Sequence, residues 1–133
     1  MREIKYRAWL KNQKIIVDVQ ELHFYNNTMA HILDNYIDGE QEWIDEDFDD
    51  YELMQYTGLN DKNSVEIYEG YIVNVEINDR LDWDSMTGKV VFLEGSWFVE
   101  DVGNFAIPLW SEMNEIEIIG NIYENPELLE EME

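Results

Sequence analysis

Between Tyr71 and Ile77 the chain alternates Val73, Val75 and Ile77 against Asn74 and Glu76, the period of two that a strand with one buried face requires. Val90 to Leu93 and Trp97 to Glu100 flank Glu94-Gly95-Ser96, which predicts a hairpin. Gly103 marks a further turn within Asp101 to Asn104, ahead of Phe105 to Trp110, and Ile116, Ile118 and Ile122 alternate against Glu117 and Asn121. A succession of short strands joined by tight turns predicts a mainly β fold, a small barrel or roll rather than a layered α/β architecture.

The amino-terminal part reads the same way. Ile4 to Leu10 and Ile15 to Val19 flank Lys11-Asn12-Gln13-Lys14, a strand, a polar turn and a strand. Leu22 to Asp38 supports two readings. Met29, Ile32, Leu33, Tyr36 and Ile37 follow a helical period between a Thr28 N-cap and a Gly39 C-cap, whereas Tyr25-Asn26-Asn27-Thr28 can make a hairpin turn before a strand. The strand is preferred because Tyr and Ile favour it. The acidic run from Asp45 to Glu52 is too dense in like charge for a core and is expected as a solvated loop or short helix anchored by Phe48. Asn125-Pro126-Glu127 predicts a helix start, with Leu128, Leu129 and Met132 on one side of a short acidic helix. The expected organisation is a β-rich region over residues 1–52, appended to the same domain, a barrel-like region over 53–125 and a short helix or tail over 126–133.

The chain has 133 residues, with 31 Asp and Glu against 8 Lys and Arg, a formal net charge of −23. Its 5 Trp, 8 Tyr and 5 Phe, with many Ile and Val, supply the apolar surface that offsets ordering entropy, so the chain is expected to fold despite its self-repulsion. There is no Cys for a disulfide or a Cys-based zinc site. No apolar run is long enough to span a bilayer, and the first residues lack a signal-peptide stretch, so a cytoplasmic location is expected. The negative sign opposes direct nucleic-acid binding, which needs cations to displace phosphate counterions.

Motifs for chemistry are weak. No two glycines lie within two residues of each other, which excludes dinucleotide and P-loop fingerprints, and Gly95-Ser96 lacks the nucleophile-elbow pattern. Asp34-Asn35-Tyr36-Ile37-Asp38-Gly39 with Asp45 resembles a calcium loop at some positions, but Tyr36 stands where a ligand belongs, and an acidic turn is the simpler reading. His23 and His31 lack a helical ligand spacing. The tryptophans Trp9, Trp43, Trp83, Trp97 and Trp110 read as core, Trp83 in the charged stretch Asp79 to Asp84 being the best exception. No catalytic, cofactor-binding or metal residue is assigned, and no cofactor is expected.

The stretch Glu52-Leu53-Met54-Gln55-Tyr56-Thr57-Gly58-Leu59-Asn60-Asp61-Lys62-Asn63, continued by Glu66-Ile67-Tyr68-Glu69-Gly70-Tyr71-Ile72-Val73, closely resembles the signature of the YopX family of phage and prophage proteins. The opening Arg2-Glu3-Ile4-Lys5-Tyr6-Arg7-Ala8-Trp9 and the closing Ile118-Ile119-Gly120-Asn121-Ile122-Tyr123-Glu124-Asn125-Pro126-Glu127-Leu128 resemble that family's ends. Residues 20–50 and 78–88 carry none of the resemblance. Departures are Leu10, where the family usually has Asp, Ser64, where Gly follows Lys-Asn, and Tyr71, where Asp follows Glu-Gly. The resemblance implies a mainly β fold with an SH3-type barrel in the carboxyl-terminal part, and no established activity.

Physically the signature reads as architecture. Gly58 and Gly70 permit backbone conformations that other residues resist, Asp61-Lys62-Asn63 is turn chemistry, and Leu53, Tyr56, Leu59, Ile67, Tyr68, Ile72 and Val73 are the residues a barrel would bury. The expected function is that of a non-enzymatic acidic phage or prophage protein that binds an unknown, basic protein partner, with mimicry of DNA phosphates as a sharper form. The alternative is a small-molecule or metal-binding protein or enzyme using scattered carboxylates and tryptophans. A homo-oligomer built on Leu128, Leu129 and Met132 is a further expectation, and no membrane association is expected.

Overall fold

All described strand pairs are antiparallel, which their short connections impose on the consecutive strands, while Tyr6–Leu10 with Tyr51–Asn60 and Tyr71–Asn78 with Asn114–Asn121 pair across intervening strands. The structure is a computed structural model that describes residues 3–34, 41–78, 83–103, 105–109 and 114–130, with the backbone alone at 33, 34, 41, 77, 78, 83, 84 and 114. It divides into two units, Ile4–Gln55 and Tyr56–Glu133 with Met1–Glu3.

The amino-terminal unit holds β1 (Tyr6–Leu10), β2 (Ile15–Asp18), β3 (Glu21–His23), β4 (Thr28–Asp34), β5 (Gln41–Asp47), a 3₁₀ turn at Phe48–Asp50 and the start of β6 (Tyr51–Asn60). β1 lies between β2 and β6, and β4 lies between β3 and β5. The β1–β2 hairpin turns where the sequence places it. Leu10 pairs with Ile15, and Lys14 closes the loop at a φ of 59° with its N–H on the Leu10 carbonyl at 2.7 Å. The alternation of β1 sends Ala8 and Leu10 inward, where they form a buried cluster with Met29 of β4 and Tyr51 of β6. Val17, Val19, Leu22 and Leu53 pack against it.

The ambiguous segment resolves as strand over Thr28–Asp34, in register with β5 from Thr28↔Asp47 to Asp34↔Gln41. Residues 35–39, including the Gly39 cap, lie outside the described residues, as does much of the calcium-like pattern. The acidic run is divided between β5, the 3₁₀ turn and β6. Its expected anchor, Phe48, is instead 65% exposed, and Tyr51 enters the core in its place.

The carboxyl-terminal unit continues β6 and adds β7 (Glu66–Tyr68), β8 (Tyr71–Asn78), β9 (Trp83–Leu93), β10 (Ser96–Glu100), β11 (Ala106–Pro108) and β12 (Asn114–Asn121). Its five-stranded sheet runs β11-β10-β9-β8-β12, and the fold is mainly β, built of curled antiparallel sheets. Ile67, Tyr68, Ile72, Val73, Val75, Val90, Val99 and Leu109 are buried. The β9–β10 hairpin has Leu93 opposite Ser96, and Glu94 and Gly95 both adopt positive φ (49° and 84°), the two-residue turn that matches strand twist. Asp101 Oδ1 accepts the N–H groups of Gly103 and Phe105 at 2.9 and 3.0 Å and shapes the turn into β11.

The expected terminal helix is only a 3₁₀ turn, Pro126–Leu129. Asn125 does not cap it, because its Oδ1 accepts the Asn121 N–H at 3.2 Å and its backbone sits outside the extended region. Leu129 lines a small cavity of about 120 Å³ together with Lys89, Glu100, Asp101 and Val102, while Met132 lies outside the described residues.

Candidate functional site

Three connections of the amino-terminal unit frame a pocket of about 350 Å³. The β1–β2 turn contributes Lys11, the β3–β4 hairpin contributes Leu22, His23, Phe24 and Asn27, and the segment from the 3₁₀ turn into β6 contributes Phe48, Asp49, Tyr51, Glu52 and Leu53. The first and third are tied together by the Lys11 N–H on the Asp50 carbonyl at 3.0 Å and by Lys11 Nζ on Glu52 Oε1 at 3.3 Å.

The hairpin loop is held by its own polar side chains. Thr28 Oγ1 donates to Asn26 Oδ1 at 2.9 Å and lies 2.8 Å from His23 Nδ1, while His23 Nε2 lies 3.0 Å from Glu21 Oε1. Asn27 takes the left-handed conformation, φ 57°, that its short side chain tolerates. A loop so fixed leaves Phe24 and Tyr25 no core to enter, and they stand 82% and 86% exposed. With Phe48, three large aromatic side chains are held out to water in one unit, the kind of surface that marks an interaction site when it is contiguous.

The pocket's polar groups differ in their commitments. Lys11 and Glu52 neutralise each other, whereas Asp49 has no ion pair among the described residues. Tyr51 is 7% exposed, its hydroxyl has no hydrogen-bond partner among the described residues, and burial pushes its phenol above the ordinary 10.0.

Elsewhere the structure places the residues singled out in the sequence in separate roles. His31 is buried on β4, its Nε2 3.5 Å from Glu46 Oε1 and its Nδ1 unpartnered among the described residues, so the two histidines do not form a joint site. Trp43 stands 57% exposed on β5, an edge strand of its sheet, against the expectation of a core residue. Trp9 and Trp97 are half-buried, and the Trp83 side chain and Trp110 lie outside the described residues.

In the carboxyl-terminal unit the Asp61 side chain, 8% exposed with its residue, accepts the N–H groups of Asn63, Val65 and Ile118 at 2.9, 3.0 and 3.1 Å. Asn121 similarly closes the segment after β12, accepting from the Tyr123 and Glu124 N–H groups at 3.0 and 2.8 Å.

The family model for the YopX protein matches residues 5–130. The chain belongs to the YopX family. Protein EF1440 from Enterococcus faecalis has a solved structure similar to this one, with 28% identity over 98% of this chain and 100% of that one and a TM-score of 0.64. Protein yopX from Bacillus subtilis aligns at 22% identity over 95% of this chain and 98% of that one with a TM-score of 0.65, a likeness of fold. No curated protein matches the chain.

The YopX signature turns out to be a set of backbone devices. Thr57 Oγ1 donates to the Ile67 carbonyl at 2.8 Å and accepts the Leu59 N–H at 3.2 Å, holding the irregularity in β6 where Gly58 has φ 89°. Ile67, Tyr68, Ile72 and Val73 are buried and Leu53, Tyr56 and Leu59 half-buried. The departures from the signature have physical counterparts. Leu10 and Tyr71 are buried core residues, and Ser64 holds a φ of 66° that suits glycine. The pocket lies mostly in residues 20–50, outside the signature, which is why the family resemblance does not point to it. The available signal was Phe24-Tyr25 beside Asn26-Asn27, bulky aromatics at turn positions where small polar residues are usual.

Proposed function

We propose that this YopX-family chain is a non-enzymatic interaction protein of phage or prophage origin, acting in the bacterial cytoplasm, that binds a basic partner protein through its amino-terminal unit. The observation that carries the reading is the pocket in which exposed Phe24 and Phe48 stand beside the carboxylates Asp49 and Glu52. Aromatic anchors supply binding energy at protein interfaces, and a net charge of −23 attracts a basic partner over long range and speeds encounter. The same reading takes the carboxyl-terminal sheet as an SH3-type roll that serves as scaffold.

The test is affinity capture from the cognate bacterial lysate, nuclease-treated, at low and moderate salt, with a charge-matched acidic control and a Phe24→Ala, Phe48→Ala double variant. The expected result is a basic protein retained at moderate salt by the wild type and lost from the control and the variant. Equal retention on all three overturns the reading.

A further inference from the structure

The amino-terminal pocket is mixed in a way that narrows its occupant. Its apolar members are Leu22, Phe24, Phe48 and Leu53, so a fully hydrated ion gains little there. Its net charge is nevertheless negative, because the Lys11 ammonium is engaged by Glu52 at 3.3 Å and Asp49 is left over. His23 adds no free donor or acceptor, since both ring nitrogens are occupied by Thr28 and Glu21. Tyr51, a residue only 7% exposed, offers a hydroxyl that has no hydrogen-bond partner among the described residues. A group placed here must present an apolar or aromatic-compatible face, carry positive charge and donate hydrogen bonds.

An anionic group fails the charge condition, and a purely apolar group fails both the charge and the donor conditions. A lysine ammonium meets the charge condition but is compact and strongly hydrated. An arginine guanidinium meets all three: it is planar, weakly hydrated, stacks on aromatic faces, and carries several N–H donors in one plane. Resting on the interaction reading above, we propose that the pocket seats one arginine side chain from a basic, extended segment of the partner protein. The guanidinium lies against Phe24 and Phe48, pairs with Asp49 and donates to the Tyr51 hydroxyl, while its methylenes cover Leu22 and Leu53. The cavity of about 350 Å³ takes the whole side chain and leaves the flanking residues at its rim.

The experiment titrates the isotope-labelled full chain with three short acetylated peptides that share serine and glycine flanks and differ only at the centre: arginine, its uncharged isostere citrulline, or norleucine. Chemical shifts at Phe24, Phe48 and Tyr51 are the readout. Arginine is expected to give saturable shifts and to bind roughly 5-fold or more tighter than citrulline. Asp49→Asn is expected to remove most of that difference, and Phe48→Ala, at an exposed position where folding is not at stake, to weaken binding about 2- to 5-fold. Citrulline or norleucine binding as tightly as arginine overturns the arginine assignment, as does the absence of pocket shifts with every peptide. In either case the interaction reading stands if lysate capture still depends on Phe24 and Phe48, and falls if capture ignores them.

Discussion

Asp61 and Ile118, 57 positions apart in sequence, are joined by a hydrogen bond of 3.1 Å from the Ile118 N–H to Asp61 Oδ2. The other carboxylate oxygen accepts from Asn63 and Val65, so one side chain both closes its own turn and fixes that turn to β12.

Asp61→Ala is expected to destabilise the protein by about 1–3 kcal/mol, because three N–H groups lose a charged acceptor and the side-chain tie between the turn and β12 goes with it. Asp61→Asn is expected to be intermediate, since its amide must turn an N–H toward one of those donors. Urea denaturation with the slope held constant measures both.

Burial raises the Asp61 pKa, but the Val65, Ile118 and Asn63 N–H groups and the Lys62 charge outweigh it, leaving the carboxyl below its ordinary 3.8. A carboxyl depressed in the folded state contributes its stability in full above the unfolded value and loses it as pH falls through the folded one. The wild type should therefore lose stability on acidification below about pH 4 more steeply than Asp61→Asn, as read from chemical denaturation at successive pH values.

Ser64→Gly is expected to stabilise the protein by up to about 1 kcal/mol. Ser64 holds φ 66°, a left-handed conformation costly for a residue with a Cβ, and its side chain is exposed, so little packing is lost. The entropy that glycine adds to the unfolded chain sets the upper bound. Thermal melting at fixed pH and salt tests the sign.

Gly88→Ala is expected to cost about 1–3 kcal/mol by overpacking. A Cβ on Gly88 would stand 2.6 Å from the Glu100 carbonyl oxygen on the neighbouring strand, backbone that cannot move without disturbing the β9–β10 ladder. Gly95→Ala makes the comparison: a Cβ there meets nothing within 4 Å, and only its φ of 84° resists the change. The urea midpoints of the two variants separate steric from conformational cost.

Glu46→Leu is expected to destabilise by about 1–3 kcal/mol, because it takes away the group nearest His31 Nε2 while Nδ1 already lacks a partner among the described residues. The double variant His31→Leu, Glu46→Leu should recover that loss, since an apolar pair leaves no polar group stranded. A double-mutant cycle in urea measures the coupling.

The hairpins at Lys11 to Lys14 and Glu94 to Gly95 were legible because turn chemistry and alternation are local and agree. The Thr28–Asp34 strand was less so: Met29, Ile32 and Leu33 fit a helical period, and long-range pairing with Gln41–Asp47 decides the matter. The terminal helix failed because its capping residue is diverted, Asn125 Oδ1 accepting from Asn121. The place of Phe48 is not legible, because nothing local distinguishes an apolar side chain that enters a core from one held over a pocket; Tyr51, three residues on, takes the buried place. Asp61 was legible as a turn residue, but its bond to Ile118 spans too much sequence for any local rule to reveal.

β12 ends its sheet, and an edge strand ordinarily offers its free backbone groups to any other extended chain. Here the turn at Asp61 takes two of them at the middle of the strand: the Lys62 N–H donates to the Ile116 carbonyl at 2.8 Å, and Asp61 accepts from Ile118. The Lys62 ammonium then pairs with Glu117 at 2.8 Å over the same stretch. The turn thus acts as a stopper against templated strand addition, so a protein made mostly of strands is guarded at this rim from aggregation by the same carboxylate that fastens its fold.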